Sequence, residues 1–183
     1  GSSDSVEEND KTSSSNGSDG NSGASGTDGS SAKKEVAVGA KFTDTASYGI
    51  YKVTSKKNGS GTVEYVKPVN SKVTKADIPS TITYAGITYK VTAVGEKAFL
   101  NCSKLKTITI GKNVTSIGKR AFYGCKNLIK LRIPNGVTSV GTSAFESCSN
   151  LIDVVISNTV VSINQFAFAS CSNLADIVIP NTV

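Results

Sequence analysis

The sequence predicts a β-rich α/β repeat fold: a right-handed solenoid with a parallel strand ladder and short helices, preceded by a small β-hairpin N-terminal cap. Three observations carry this expectation. From residue 91 onward one apolar pattern recurs four times at a period of 23 residues, with no insertion or deletion between copies. A fixed period of roughly 20 to 50 residues marks units that bury their apolar faces by stacking. Residues 36–90 instead alternate apolar and polar side chains, the period of a strand. Residues 1–35 are almost entirely small or polar, with Val6 the one large apolar side chain.

The repeat is clearest in its second copy, where Val114, Ile117, Ala121, Phe122, Cys125, Leu128, Leu131 and Ile133 occupy the apolar phases. The first copy places Val91, Val94, Ala98, Phe99, Cys102, Leu105, Ile108 and Ile110 there. The third and fourth copies are apolar at every one of the same phases, from Val137 to Ile156 and from Val160 to Ile179. Val183 falls on the phase of Val91, so the pattern reads as a fifth coil beginning, with the fourth coil presenting an edge open to fraying or to edge-to-edge pairing.

In chain order, residues 1–35 cannot bury enough apolar surface to offset the entropy of ordering them, and they read as an acidic flexible tether. In 36–90, the runs around Ile50 to Val53 and Val63 to Val66 flank Asn58-Gly59, a dipeptide suited to the positive φ angles of a hairpin turn. A second pair, Ile82 to Tyr84 and Ile87 to Val91, turns at Ala85-Gly86. These hairpins are expected to cap the solenoid of 91–183, because a terminal coil would otherwise expose its apolar side. Within one coil, Val114 to Ile117 reads as a short strand and Gly118 as a break at positive φ, with Asn164 as its tolerated substitute. Ala121, Phe122, Cys125 and Leu128 fit one or two helical turns, and Leu131 to Ile133 a second strand.

The charge is divided. The first 35 residues hold seven acids and three bases, net −4, which leaves +10 for the remainder out of a total of +6. Lys97, Lys104, Lys106, Lys112, Lys119, Arg120, Lys126, Lys130 and Arg132 form a basic flank that could steer an acidic glycan, although a charge block of this kind is more usually a solvated surface. No nucleic-acid partner is expected. No apolar run approaches the ~20 residues of a membrane helix.

Catalysis is not expected. The chain has no His, which removes the commonest general base and metal ligand, and it carries none of the nucleophile, phosphate-loop or metalloprotease motifs. No cofactor and no metal site is anticipated. Cys102, Cys125, Cys148 and Cys171 recur one per coil. Equivalent phases point in parallel, which suits buried free thiols better than disulfides.

The phrase running from Ile133-Pro134 through Val137, Val140-Gly141, Ala144-Phe145, Cys148 and Leu151 resembles the BspA-like leucine-rich repeats, the 23-residue Treponema pallidum type. The resemblance covers 78–183 and includes the lead-in Gly86 to Val91. It implies a leucine-rich-repeat solenoid in a bacterial cell-surface or secreted protein, associated with adhesion to host proteins or neighbouring cells, with a lipid or wall anchor through the N-terminal tether as the matching localisation. The partner-binding face is expected on outward positions of the second strand: Lys106, Thr107 and Thr109; Ile129, Lys130 and Arg132; Ile152, Asp153 and Val155; Asp176 and Val178. Two other functions remain open: a structural spacer displaying a downstream domain, and binding of an acidic glycan through the Lys97–Arg132 flank.

Overall fold

The structure, a computed structural model, describes residues 36–183; the tether expected over 1–35 lies outside them. Twelve strands follow in order: β1 (Lys41–Asp44), β2 (Gly49–Lys57), β3 (Ser60–Pro68), β4 (Lys75–Ile78), β5 (Thr81–Tyr84), β6 (Ile87–Val94), β7 (Thr107–Ile110), β8 (Ser116–Ile117), β9 (Lys130–Ile133), β10 (Ser139–Val140), β11 (Asp153–Ile156) and β12 (Ser162–Ile163).

β1, β2 and β3 are antiparallel neighbours. Asn58 (φ 32°) and Gly59 (φ 78°) turn β2 into β3, and Ala85 (φ 51°) and Gly86 (φ 74°) turn β5 into β6. β3 then pairs in parallel with β6, and β6, β8, β10 and β12 continue as one parallel ladder. A second ladder forms across the coil, β4 with β7 and β9 with β11, also parallel. It is interrupted between β7 and β9, where Ile129 N reaches Lys106 O at 3.4 Å. Because β3 and β4 already pair in parallel with β6 and β7, coil-like stacking begins ahead of Val91.

The short helix expected in each coil is absent: among the described residues there is no helix, and the segment is a chain of turns. Alternate amides act differently. Ala121, Tyr123 and Cys125 donate three residues back within their own coil, to Gly118, Arg120 and Phe122. Arg120, Phe122 and Gly124 donate to Thr142, Ala144 and Glu146 of the next coil, at 3.0, 2.7 and 2.9 Å. This alternation needs left-handed residues at fixed phases, and Lys97, Arg120, Ser143 and Phe166 all have φ between 52° and 60°. An α-helix would instead direct its amides along its own axis to carbonyls four residues back, not alternately to the next coil.

Gly118 does not take positive φ, contrary to expectation. A Cβ there would lie 2.7 Å from Glu96 N and 2.8 Å from Gly95 C, and one at Gly141 would lie 2.6 Å from Lys119 N. Glycine recurs at this phase because successive backbones touch.

All eight apolar phases of the second coil are at most 2% exposed. Phe99, Phe122, Phe145 and Phe168 stack face to face at 4.9, 5.0 and 5.4 Å, close to the ~4.8 Å between paired strands. Tyr65 continues the stack onto Phe99 at 5.2 Å, and Tyr51 meets Tyr65 edge-on. Such offset aromatic pairs add about 0.5–1.5 kcal/mol each beyond burial. The fourth coil is looser. Its second strand does not form over 174–180, and Ile163, Phe168, Leu174 and Ile177 are only partly buried.

Candidate binding face

The outward positions of the second ladder are set by strand geometry. In β9 Leu131 and Ile133 point inward, so Lys130 and Arg132 point out; in β11 Val154 points inward and Asp153 and Val155 out. Parallel pairing in register then aligns Asp153 beside Lys130 and Val155 beside Arg132. Lys130 Nζ lies 3.7 Å from an Asp153 oxygen, with both side chains more than half exposed, so the pair contributes little stability. All eleven positions expected to form the face are exposed: Lys106, Thr107, Thr109, Ile129, Lys130, Arg132, Ile152, Asp153, Val155, Asp176 and Val178. Nine of them lie on or immediately before β7, β9 and β11. Asp176 and Val178 do not belong to a strand, because the fourth coil leaves its second strand unpaired.

Apolar side chains at solvent are the conspicuous feature of this face. Ile129 is 41% exposed, Ile152 53%, Val155 40% and Val178 79%. Arg132 and Val155 also border a depression of about 270 Å³ that Lys112, Asn135 and Ser157 help to line. Ser157 is held there by Asn135 Oδ1, 2.7 Å from its Oγ.

β4 extends the face by one strand that the repeat pattern did not reveal. Lys75 pairs with Thr107 and Asp77 with Thr109, and the Thr109 hydroxyl donates to the Asp77 carboxylate. The alternation of Lys75, Ala76, Asp77 and Ile78 was the available signal. It was hidden because Ile78 stands opposite Ile110, 32 residues on, rather than 23.

The four cysteines face the core, free and buried. Burial, with the neighbouring Cys171 adding and a hydrogen bond from the Cys125 backbone opposing, pushes the Cys148 thiol up to about 12. Among the described residues no group of three His, Cys, Asp or Glu side chains could hold a metal ion, and no helix is long and apolar enough to cross a membrane.

A coil of two strands joined by turns, repeated every 23 residues around a Phe and Cys interior, defines a leucine-rich-repeat solenoid. Residues 69–183 match the BspA type leucine rich repeat region in 6 copies, and the chain belongs to that family. Among solved structures it is similar to the T. pallidum leucine rich repeat protein (TM-score 0.56, 24% identity, 73% of this chain and 70% of that one). It is also similar to the pneumococcal vaccine antigen PcpA (TM-score 0.55, 22% identity, 74% of this chain). The chain spans 43% of the PcpA chain. At these identities the likeness concerns the fold. Among curated proteins none matches this sequence.

Proposed function

We propose that this chain is a non-enzymatic binding module of a bacterial cell-surface or secreted protein, and that it holds a protein partner on the outward face of β4, β7, β9 and β11. The observation that carries this is the run of exposed apolar side chains, Ile129, Ile152 and Val155, set among Lys130, Arg132 and Asp153 on adjoining strands. An apolar centre with a charged rim is the usual anatomy of a recognition surface. Area limits the affinity. Four strands of 4 residues cover on the order of 250 Å², against ~800 Å² per partner in a standard interface. Contacts must therefore extend onto the loops beside the strands or onto further coils. The test is capture of candidate host-surface proteins by the immobilised chain and by a variant with Ile129, Arg132 and Val155 changed to Ser. Loss of capture in the variant supports the reading, and equal capture overturns it.

In the same reading the strands of 36–90 close one end of the stack, supported by Phe42, Tyr51 and Tyr65 packing beyond Phe99. At the fourth coil, Ile179 is 45% exposed beside the partly buried Leu174 and Ile177, which suits edge-to-edge association with a second copy. Sedimentation of the chain over a range of concentrations tests this, and an unchanging monomer rejects it.

A second reading, an acidic glycan held by the basic flank, is favoured by Lys112 and Arg132 converging on the 270 Å³ depression. Lys104, Lys106, Lys112, Lys119, Arg120, Lys126 and Arg132 form no ion pair among the described residues. Heparin retention that falls steeply with salt and with Lys112→Ala and Arg132→Ala would support it.

A further inference from the structure

A cavity lies away from the basic flank, where the β1–β2 turn faces β4 and β5. It encloses about 770 Å³, within the ~300–1,000 Å³ common for small-molecule sites. Val73, Ala76 and Ile82 supply apolar wall, and the cavity surface is predominantly apolar. Two carboxylates, Asp44 and Asp77, stand at it, with Lys75 the one basic side chain in the lining.

Residues 36–183 carry a net charge of +10, yet neither Asp44 nor Asp77 is in an ion pair among the described residues. Glu146 and Asp176 are likewise without one, but only Asp44 and Asp77 stand together at a cavity. Asp44 Oδ2 instead accepts from Ser47 N at 2.8 Å and from Ser47 Oγ, whose oxygen lies 2.8 Å from the Tyr51 hydroxyl. Among the described residues Asp77 accepts from Thr109 alone. Although 33 residues apart, both act on one phenol. Burial chiefly raises the Tyr51 hydroxyl, to about 12; the Ser47 hydrogen bond opposes, and the Asp44 and Asp77 charges add to the rise.

Aromatic groups complete the surroundings. Tyr48 lines the cavity, is 73% exposed and sits at φ 51°, a conformation that costs a bulky residue energy and that the Asp44–Ser47 turn and the bond from Val69 N to Tyr48 O impose. Tyr65, only 1% exposed, lines the cavity too, and its hydroxyl has no hydrogen-bond partner among the described residues. An apolar wall, an aromatic face at solvent, an unused phenol oxygen and two unpaired carboxylates together favour a cation that carries an apolar body.

We infer that this cavity binds a small organic amine, an ammonium group on an apolar or aromatic body, with Asp77 and Asp44 taking the ammonium and Tyr48 covering the body. Lys75 disfavours dications and leaves the site selective for a single positive charge. Lys75 and Asp77 stand on β4 at the edge of the proposed partner-binding face, but the inference needs no partner bound there.

The test is calorimetric titration of the full chain with phenethylamine, set against 2-phenylethanol and 3-phenylpropanoate, which keep the body but lose or invert the charge. The expected result is saturable binding of the amine alone, weakened about tenfold by Asp77→Asn and more modestly by Tyr48→Ala. Both altered residues are exposed, and thermal melts confirm that the variants stay folded. Absence of saturable binding, equal binding of the alcohol, or an Asp77→Asn variant with unchanged affinity would each overturn the inference. Nα-acetyl-lysine amide is the remaining arm. If it binds while phenethylamine does not, the occupant is a protein side chain and the small-amine assignment fails.

Discussion

The Cys125 thiol donates to the carbonyl oxygen of Phe99 in the preceding coil, across 3.2 Å. The same oxygen already accepts the Cys102 amide of its own coil at 3.0 Å. Cys148 and Cys171 repeat the arrangement on Phe122 and Phe145. In the second, third and fourth coils a cysteine thus satisfies a second lone pair in the core while filling a small apolar space.

Replacing Cys125 with Ala removes that bond and leaves a small void, and should cost about 1–2 kcal/mol in urea unfolding. Cys171→Ala should cost less, because Cys171 is 8% exposed whereas Cys125 is fully buried. A larger loss at Cys171 would contradict the gradient of burial along the stack.

Alkaline pH should unfold the chain. Burial raises the Cys148 thiol from 9.0 to about 12 and the Tyr51 phenol from 10.0 to about 12. Above pH 9 the unfolded chain releases a proton that the folded chain keeps, so stability falls as pH rises. Each such thiol removes about 1.4 kcal/mol per pH unit until the folded group also ionises. Cys125 and Tyr65, also raised by burial, act in the same direction. Denaturant midpoints measured from pH 8 to 11 should be level at first and then drop; a level profile throughout would refute the linkage.

Gly118→Ala should destabilise by about 1–3 kcal/mol through overpacking, despite an ordinary φ. Gly118→Asn distinguishes the causes. Asn tolerates left-handed backbone, so it would be mild if conformation were the reason. A clash with Glu96 N and Gly95 C makes it at least as costly as Ala.

The Tyr89 ring is fully buried, and its hydroxyl has no hydrogen-bond partner among the described residues. Tyr89→Phe should therefore leave stability unchanged or raise it by about 1 kcal/mol, as the deleted group was costing desolvation. A clear loss in thermal melts would contradict this prediction.

Amides of 175–179 should exchange with solvent faster than those of β9 and β11. They lack a strand partner, and the apolar side chains beneath them are partly exposed. Equal protection in hydrogen exchange would be inconsistent with the loose fourth coil.

The interior of the coils was legible in the sequence because each core residue recurs at its own phase: Val114, Phe122 and Leu128 are buried for the reason Val137, Phe145 and Leu151 are. The parallel ladder followed from stacking such units. The helix did not survive, because the spacing of Ala121, Phe122 and Cys125 suits an inward face in a helix and in a chain of turns alike. The choice is made by amides that bond to the next coil, which no single copy displays. Gly118 was misassigned for a similar reason, since its constraint comes from residues 22 to 24 positions earlier. β4 escaped because the β5–β6 hairpin stretches its spacing from β7. Of the binding face, exposure was readable from alternation, whereas the failure of β7 and β9 to pair was not. That Asp44 and Asp77 line one cavity left no trace in either local sequence.

The inter-coil bonds made by the turns have a mechanical consequence. Phe99 N to Ala121 O, Phe122 N to Ala144 O and Phe145 N to Ala167 O all run from one coil to the next. Tension applied along the stack loads these junctions in series, so the weakest yields first while the others hold. Each yield releases one 23-residue loop, about 75 Å of extended chain. A protein pulled between two attachments would lengthen in steps and dissipate load one coil at a time, keeping the remaining coils, and whatever they hold, in place.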